Sequence, residues 1–318
     1  MNETNERMTT LALVLKTRER WLLGIESLAW LVVILAAFLG NVMLTLAVFK
    51  SSRIRSPQNY YLLSLAATDV FNAIAIMPYT LTVLIKGTWP FGNFICQLQG
   101  SLTSICATVS LLTMALISFN RYVKIVRSVQ LYQKIFTRRN ILISITMSWS
   151  TTAFLTLFPF LFYKTMFHFH PGKCLCWLQL SPVDGASWYG LVSYSSIVCL
   201  IFSSIFFSYY KVFRKIRAHY AQVASSGIHN ENSAAFAEEV KITAMLFVTV
   251  LTFFICWVPS FIIDFYEAIA GYYTLPRQLY LFNIFTYTSS SAINPFIYGF
   301  MNRDFRGAYM RILCCKKS

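Results

Sequence analysis

Asp69 is the one acidic residue of twelve that falls deep inside a long apolar run. An ionisable group is costly to bury there and is by default functional. It can hold an ion, or stay protonated within a water-linked polar network. Arg121, in Asn120-Arg121-Tyr122, is a second expensive charge, at the end of another run. Two prolines interrupt apolar runs farther on. Pro259 closes Phe253-Phe254-Ile255-Cys256-Trp257-Val258-Pro259, with a bulky indole beside the bend, and Pro295 lies in Asn294-Pro295-Phe296-Ile297-Tyr298. A proline within a helix removes one backbone hydrogen bond and kinks it, freeing groups that Asn294 and water can satisfy. Nowhere does a run or connecting segment gather a nucleophile with its base, so no enzyme is expected.

The elements that carry these residues are membrane spans. Charged residues make up 12% of the 318, against a usual share of about 25%, and hydrophobic residues reach 57%. Seven nearly charge-free runs, 28–49, 60–84, 94–117, 141–163, 188–209, 242–268 and 279–300, have the ~20 residues that cross ~30 Å of hydrocarbon. The fifth, with several Ser and Tyr, reads as the least apolar. The expected fold is an all-α membrane protein, a seven-transmembrane helix bundle with a short amphipathic C-terminal helix. A transporter or channel would show inverted repeats, broken helices and more pathway charges.

Net charge is +15, and its placement matters more than its size. Of the 27 Lys and Arg, three fall in 50–55, five in 124–139, five in 211–241 and five in 303–317. That bias places these loops and the C-terminus in the cytosol and the N-terminus outside, in a multi-pass plasma-membrane protein. Anionic lipid headgroups suit the basic face; without a separate soluble basic domain, nucleic acid is not an expected partner. Residues 1–24 read as an extracellular N-terminus without a cleaved signal, the first span acting as the insertion signal. Asn2 opens a glycosylation sequon. Residues 25–301 form the membrane domain and 302–318 the amphipathic helix and tail. In that helix Phe305, Ala308, Tyr309 and Ile312 share a face, with Arg303, Arg306 and Arg311 on others. Cys314 and Cys315, flanked by Lys316 and Lys317, sit where S-palmitoylation occurs.

Asn41 in the first run, Leu65-Ala66-Ala67-Thr68-Asp69 in the second, Cys96 and Arg121 in the third and Trp149 in the fourth appear in order with Cys256-Trp257-x-Pro259 and Asn294-Pro295-x-x-Tyr298. The set resembles rhodopsin-like G-protein-coupled receptors over essentially the whole chain. The resemblance implies a receptor that turns binding of an extracellular ligand into activation of a heterotrimeric G protein. It implies one disulfide from Cys96 to the second outer loop, with either Cys174 or Cys176 as partner and the other left over. It implies that Asp69 joins Ser110, Ser291 and Asn294 around a sodium ion that favours the inactive state, an ion of the kind hard oxygen ligands hold. Arg121 is then paired with an acidic group at rest. Glu239 stands twenty residues before Pro259, about 30 Å down a helix, where it can reach Arg121. The usual acidic neighbour is here Asn120, which predicts a weaker resting lock and basal signalling. In activation the sixth helix pivots at Pro259, with Trp257 and Phe253 as the packing switch, and Tyr209 and Tyr298 turn toward the opened cytosolic cavity. Ile201 replaces the fifth helix's usual proline, which leaves the shape of the pocket there open.

The same resemblance places the ligand between the outer halves of helices 3, 5, 6 and 7. The candidates are Thr103, Ser104 and Ala107; Ser193 and Tyr194; Ser260, Phe261 and Asp264; and Tyr280 and Ile284. Biogenic-amine receptors carry an aspartate where Thr103 stands. Opsins carry a retinal-binding lysine where Thr288 stands, so covalent retinal is not expected and no other cofactor is implied beyond the sodium ion. Asn120-Arg121-Tyr122 resembles melatonin receptors, which differ in their seventh helix. His168 and His170 with Cys174 and Cys176 offer zinc its ligand types, but the disulfide claims a cysteine and no metal site is expected.

Overall fold

The computed structural model describes residues 2–52, 54, 56, 59–162, 166–178, 185–226, 231–270 and 273–314, and their side chains except at 2–4, 161, 185–191, 193–194, 226 and 231–234. In chain order α1 is Asn2–Lys16, α2 Arg20–Lys50, α3 Tyr60–Ala75, α4 Met77–Lys86, α5 Gly92–Val126, α6 Val129–Ile135 and α7 Arg138–Leu157. A hairpin follows, β1 Phe167–His170 and β2 Leu175–Leu178, then α8 Gly185–Ser226, α9 Glu231–Ala270, α10 Arg277–Met301 and α11 Arg303–Leu313.

Six helical stretches are long and apolar enough to cross a bilayer: Arg20–Lys50, Tyr60–Lys86, Gly92–Val126, Arg138–Phe160, Ser195–Ser225 and Ala235–Ala270. The seventh, α10, has 25 residues, ample at 1.5 Å each, but is more polar. It, and not the fifth, is the least apolar of the seven. Its Asn283, Thr288, Ser290, Ser291 and Asn294 are all buried, so they hydrogen-bond inside the bundle while apolar residues face outward. The chain is a multi-pass membrane protein, a seven-helix bundle.

Three local features depart from the simple run pattern. The second span is broken at Ile76, where backbone angles of −123° and −55° separate α3 from α4. Pro78 is the cause, since it lacks an N–H and its ring crowds the preceding turn. The N-terminal segment is helical: Leu11 and Leu15 of α1 are buried, and Arg7 donates to the carbonyls of Tyr273 (3.3 Å) and Thr274 (2.8 Å) ahead of α10. The span α8 runs unbroken through Ile201. At the far end Asn302 caps α11, its Oδ1 accepting from Asp304 N at 2.9 Å, and Phe305, Ala308 and Tyr309 are buried as the amphipathic pattern requires.

The hairpin is antiparallel, with Phe167 opposite Leu178 and His170 opposite Leu175. Two glycines seat it. A Cβ on Gly100 of α5 would lie 2.3 Å from the Phe167 ring, and one on Gly172 at the hairpin tip 2.5 Å from the Tyr280 ring. Gln97 donates to Phe167 O at 2.6 Å and accepts from Met166 N and Phe167 N at 3.0 Å each. Gln99 accepts from Cys176 N at 2.8 Å.

Candidate functional site

Below the hairpin, α5, α7, α8 and α9 enclose a cavity of about 420 Å³. Thr103, Ser104 and Ala107 line it from α5, and Phe261 and Asp264 from α9. Phe167 and Trp177 form its roof, with Thr152 and Thr156 of α7, Ser195 and Cys199 of α8 and Tyr287 of α10 as further walls. Three expected ligand contacts lie elsewhere. Ser260 turns to α10 and donates to Asn283 Oδ1 at 2.8 Å. Tyr280 donates to Glu267 with its ring edge-on to His170, 4.7 Å between centroids. Ile284 is a core residue. The side chains of Ser193 and Tyr194 lie outside the described residues.

Asp264 is the one charged residue among the described walls, and it is already partnered. Lys173 Nζ, itself buried, pairs with Oδ1, and Trp177 Nε1 donates to Oδ2 at 3.2 Å. The same ammonium lies 4.4 Å from the Trp177 ring centroid, a cation–π contact that strengthens once water is excluded.

The hairpin tip is a dense polar junction. His170 is buried, its Nδ1 accepting from Lys173 N at 3.2 Å. Burial, and then the Lys173 charge, hold its pKa well below 6.5. An unfolded histidine takes up a proton below about 6.5 while the folded one does not, so stability is complete above that pH and lost as pH falls. Melting temperatures of the full chain should be flat above about pH 7. Below that, stability should fall by up to about 1.4 kcal/mol per pH unit, the weight of one proton, and the melting temperature with it. His170→Asn should flatten that acid limb; identical limbs in the two proteins would remove His170 as its source.

The disulfide joins Cys96 to Cys176. Cys174 is free and buried, in left-handed backbone at φ +57°, and burial pushes its thiol up to about 11. Above it Glu26 of α2 accepts from both Nη atoms of Arg277, at 2.8 and 2.6 Å, and from Arg18.

Beneath the cavity the aromatic switch and the polar core are in contact. Phe253 and Trp257 stack at 4.5 Å, Trp257 Nε1 donates to Ser290 Oγ at 3.2 Å, and its ring meets Tyr287 at 4.6 Å. Asp69 is reached by Ser291 and by Asn294, whose Nδ2 donates at 3.1 Å. Ser110 lines the same small space but bonds Thr68, 3.0 Å between hydroxyl oxygens. Asn41 Nδ2 ties α2 to Ser291 O at 2.9 Å, and Pro295 packs on Gly40, where a Cβ would lie 3.0 Å from its ring.

At the opposite end from the hairpin, Arg121 Nη1 pairs with Glu239 Oε2 at 3.2 Å, bridging α5 and α9. Lys124 approaches the same carboxylate at 3.5 Å. Asn120 is more than a missing acid, since its Oδ1 accepts from Arg121 Nη2 at 2.8 Å. Tyr122 lies under Arg127, 5.5 Å from its ring centroid. Tyr209 packs on Phe247 at 5.1 Å and Tyr298 on Phe305 at 5.8 Å.

The family model described as 7 transmembrane receptor (rhodopsin family) matches residues 40–298. The chain belongs to the rhodopsin family of seven-transmembrane receptors. The receptor is 28% identical over 306 residues to the octopamine receptor beta-1R of Drosophila melanogaster, covering 88% of this chain but only 60% of that protein's length. It is 28% identical over 293 residues to the human histamine H2 receptor, covering 90% of this chain and 78% of that one. Squid rhodopsin's crystal structure shares the receptor's fold, with a TM-score of 0.81 at 19% identity over 94% of this chain and 88% of that one.

Proposed function

We propose that the receptor binds an extracellular small molecule in the cavity under the hairpin and answers by activating a heterotrimeric G protein at the Arg121 end. In this reading the hairpin end and N-terminus face outside the cell, and the basic loops and α11 face the cytosol at the plasma membrane. The observation that carries it is the Arg121–Glu239 ion pair, which ties α5 to α9 below Pro259 and the stacked Phe253–Trp257 rings. A ligand that repacks those rings biases the same helix whose inner end the pair restrains.

Octopamine and histamine relatives favour an amine as ligand. Thr103 stands where such receptors carry their aspartate, and Lys173 already occupies Asp264, so an amine would find no free counter-charge here. The likeness of Asn120-Arg121-Tyr122 to melatonin receptors concerns the G-protein end and specifies no ligand contact. The space beside Asp69, about 10 Å³, is close to what one water needs and fits a sodium ion held by Asp69, Ser291 and a neighbouring hydroxyl. Cys314 is exposed at the end of α11, in keeping with palmitoylation there; Cys315 and the Asn2 side chain lie outside the described residues.

The test is a second-messenger panel across G-protein families in cells expressing the chain, with basal output read first. The Glu239 side chain is 29% exposed, so solvent weakens its pair to about 1 kcal/mol. Glu239→Gln should then raise basal output about fivefold. Replacing external sodium should raise it in the parent but not in Asp69→Asn. No coupling to any G protein, basal or stimulated, would sink the receptor reading.

A further inference from the structure

The cavity's surroundings say how a ligand reaches it and of what kind. Its roof is closed. Met166, Phe167 and Leu175 are buried beneath neighbouring elements, Gly100 and Gly172 let the hairpin settle onto α5 and Tyr280 without a gap, and α1 lies over this end with Leu15 in the core.

The flank is different. Leu155 of α7 and Cys199 of α8 line the cavity and are both exposed, on spans whose outer faces meet lipid. On the described residues α7 makes its close backbone approaches to α3 and α5, and none comparable to α8. Only Ile141 and Thr152 of α7 are buried. The wall between α7 and α8 is therefore made of exposed side chains and not of closely packed backbone.

The wall chemistry points the same way. With Asp264 neutralised by Lys173 and Trp177, a cationic ligand would give up its hydration for no free counter-charge. What remains is apolar surface with hydroxyls. Ser104, Thr156 and Ser195 bring hydroxyls to its wall. A hydroxyl on the wall can exchange a hydrogen bond with an oxygen on the ligand. The volume suits a compact small molecule.

We propose that the cavity takes an uncharged, mostly apolar ligand bearing a hydroxyl or carbonyl group. This ligand passes from the bilayer between α7 and α8 and does not come from water through the hairpin end. The proposal rests on reading the cavity as the receptor's ligand site.

The experiment uses the full chain in phospholipid nanodiscs, with Ser104→Cys placing a thiol on the cavity wall in a Cys199→Ala background. Modification at residue 104 is followed by peptide mass. N-decylmaleimide should react at least tenfold faster than a maleimide carrying a trimethylammonium group. Thr156→Trp, or Ser195→Trp on the facing wall should the first melt early, should slow the decyl reagent at least tenfold. Arg7→Ala, which loosens α1, should leave its rate unchanged. 1-Decanol should protect the thiol and decyltrimethylammonium should not. Equal rates for the two reagents, or acceleration by Arg7→Ala with no effect of either Trp, overturns the passage; equal or better protection by the cation overturns the ligand class. Labelling needs no signalling, so absent G-protein coupling with the expected labelling pattern would remove the receptor reading and leave the passage standing.

Discussion

Glu26→Ala should destabilise the receptor by about 3–5 kcal/mol, the cost of stranding buried charge, and lower its melting temperature by roughly 10 °C. The carboxylate is the shared partner of two guanidiniums, and the side chains of Arg18, Glu26 and Arg277 are only 3%, 9% and 1% exposed. Without it two like charges face each other out of water. The triad also joins three elements, because Arg18 follows α1 and donates to Leu84 O at the end of α4, while Arg277 opens α10. A double-mutant cycle separates the pair from its surroundings. Glu26→Ala with Arg277→Ala should cost clearly less than the two single losses added, since the pair then leaves together. A loss under 1 kcal/mol for Glu26→Ala, or strict additivity, would show that water reaches the arginines and the triad is not a buried one.

Cys176→Ser should cost about 2–5 kcal/mol through loss of the cross-link and should sharply reduce ligand response, because β2 carries Trp177 into the cavity roof. Cys174→Ser should stay within about 1 kcal/mol of the parent. The two cysteines are two residues apart and equally buried, yet only Cys176 is bonded to Cys96. Cys174 Sγ instead donates to Pro171 O at 3.4 Å, a contact a serine hydroxyl can keep. Thermal melts in detergent with and without reductant provide the comparison: reductant should lower the melting temperature of the parent and of Cys174→Ser but not of Cys176→Ser. Two variants equally damaged would mean that both sulfurs take turns in the bridge.

The bundle was legible because burying charge in lipid is so costly that spans announce themselves. The seventh was harder, its polar residues being excused only by facing inward, and the Asn294-Pro295-x-x-Tyr298 pattern carried it. Pro78 was in plain sight, but a run counted by hydropathy does not register the break it makes at Ile76. The helical N-terminus was hidden by its charges, which look solvated until Arg7 is seen bonding carbonyls ahead of α10 and Arg18 the carbonyl of Leu84 at the end of α4. At the ligand site, helical phase decided the outcome. Ser260 and Phe261 lie about 100° apart round the helix with Asp264 between them; Phe261 and Asp264 line the cavity, and Ser260, on the far side of Asp264 from Phe261, meets Asn283 instead. Tyr280 and Ile284 share a face too, but that face turns to Glu267 and the core. Ser144, Ser148, Thr152 and Thr156, each four apart on the fourth span, were the readable sign that α7 carries a polar stripe.

The tie between the two ends of the chain has a consequence for its biosynthesis. Glu26 and Arg277 are 251 residues apart, and Asn41 reaches Ser291 across 250. At roughly 5–20 residues per second, the first span waits roughly 10–50 s in the membrane before its partner has been made. During that interval Glu26, Asn41 and the bare flank at Gly40 have no seventh helix to meet. The receptor thus closes last where it began first. A ribosome stalled before α10 would leave a nascent chain whose unpaired first span is the feature a membrane chaperone or quality-control protease can detect.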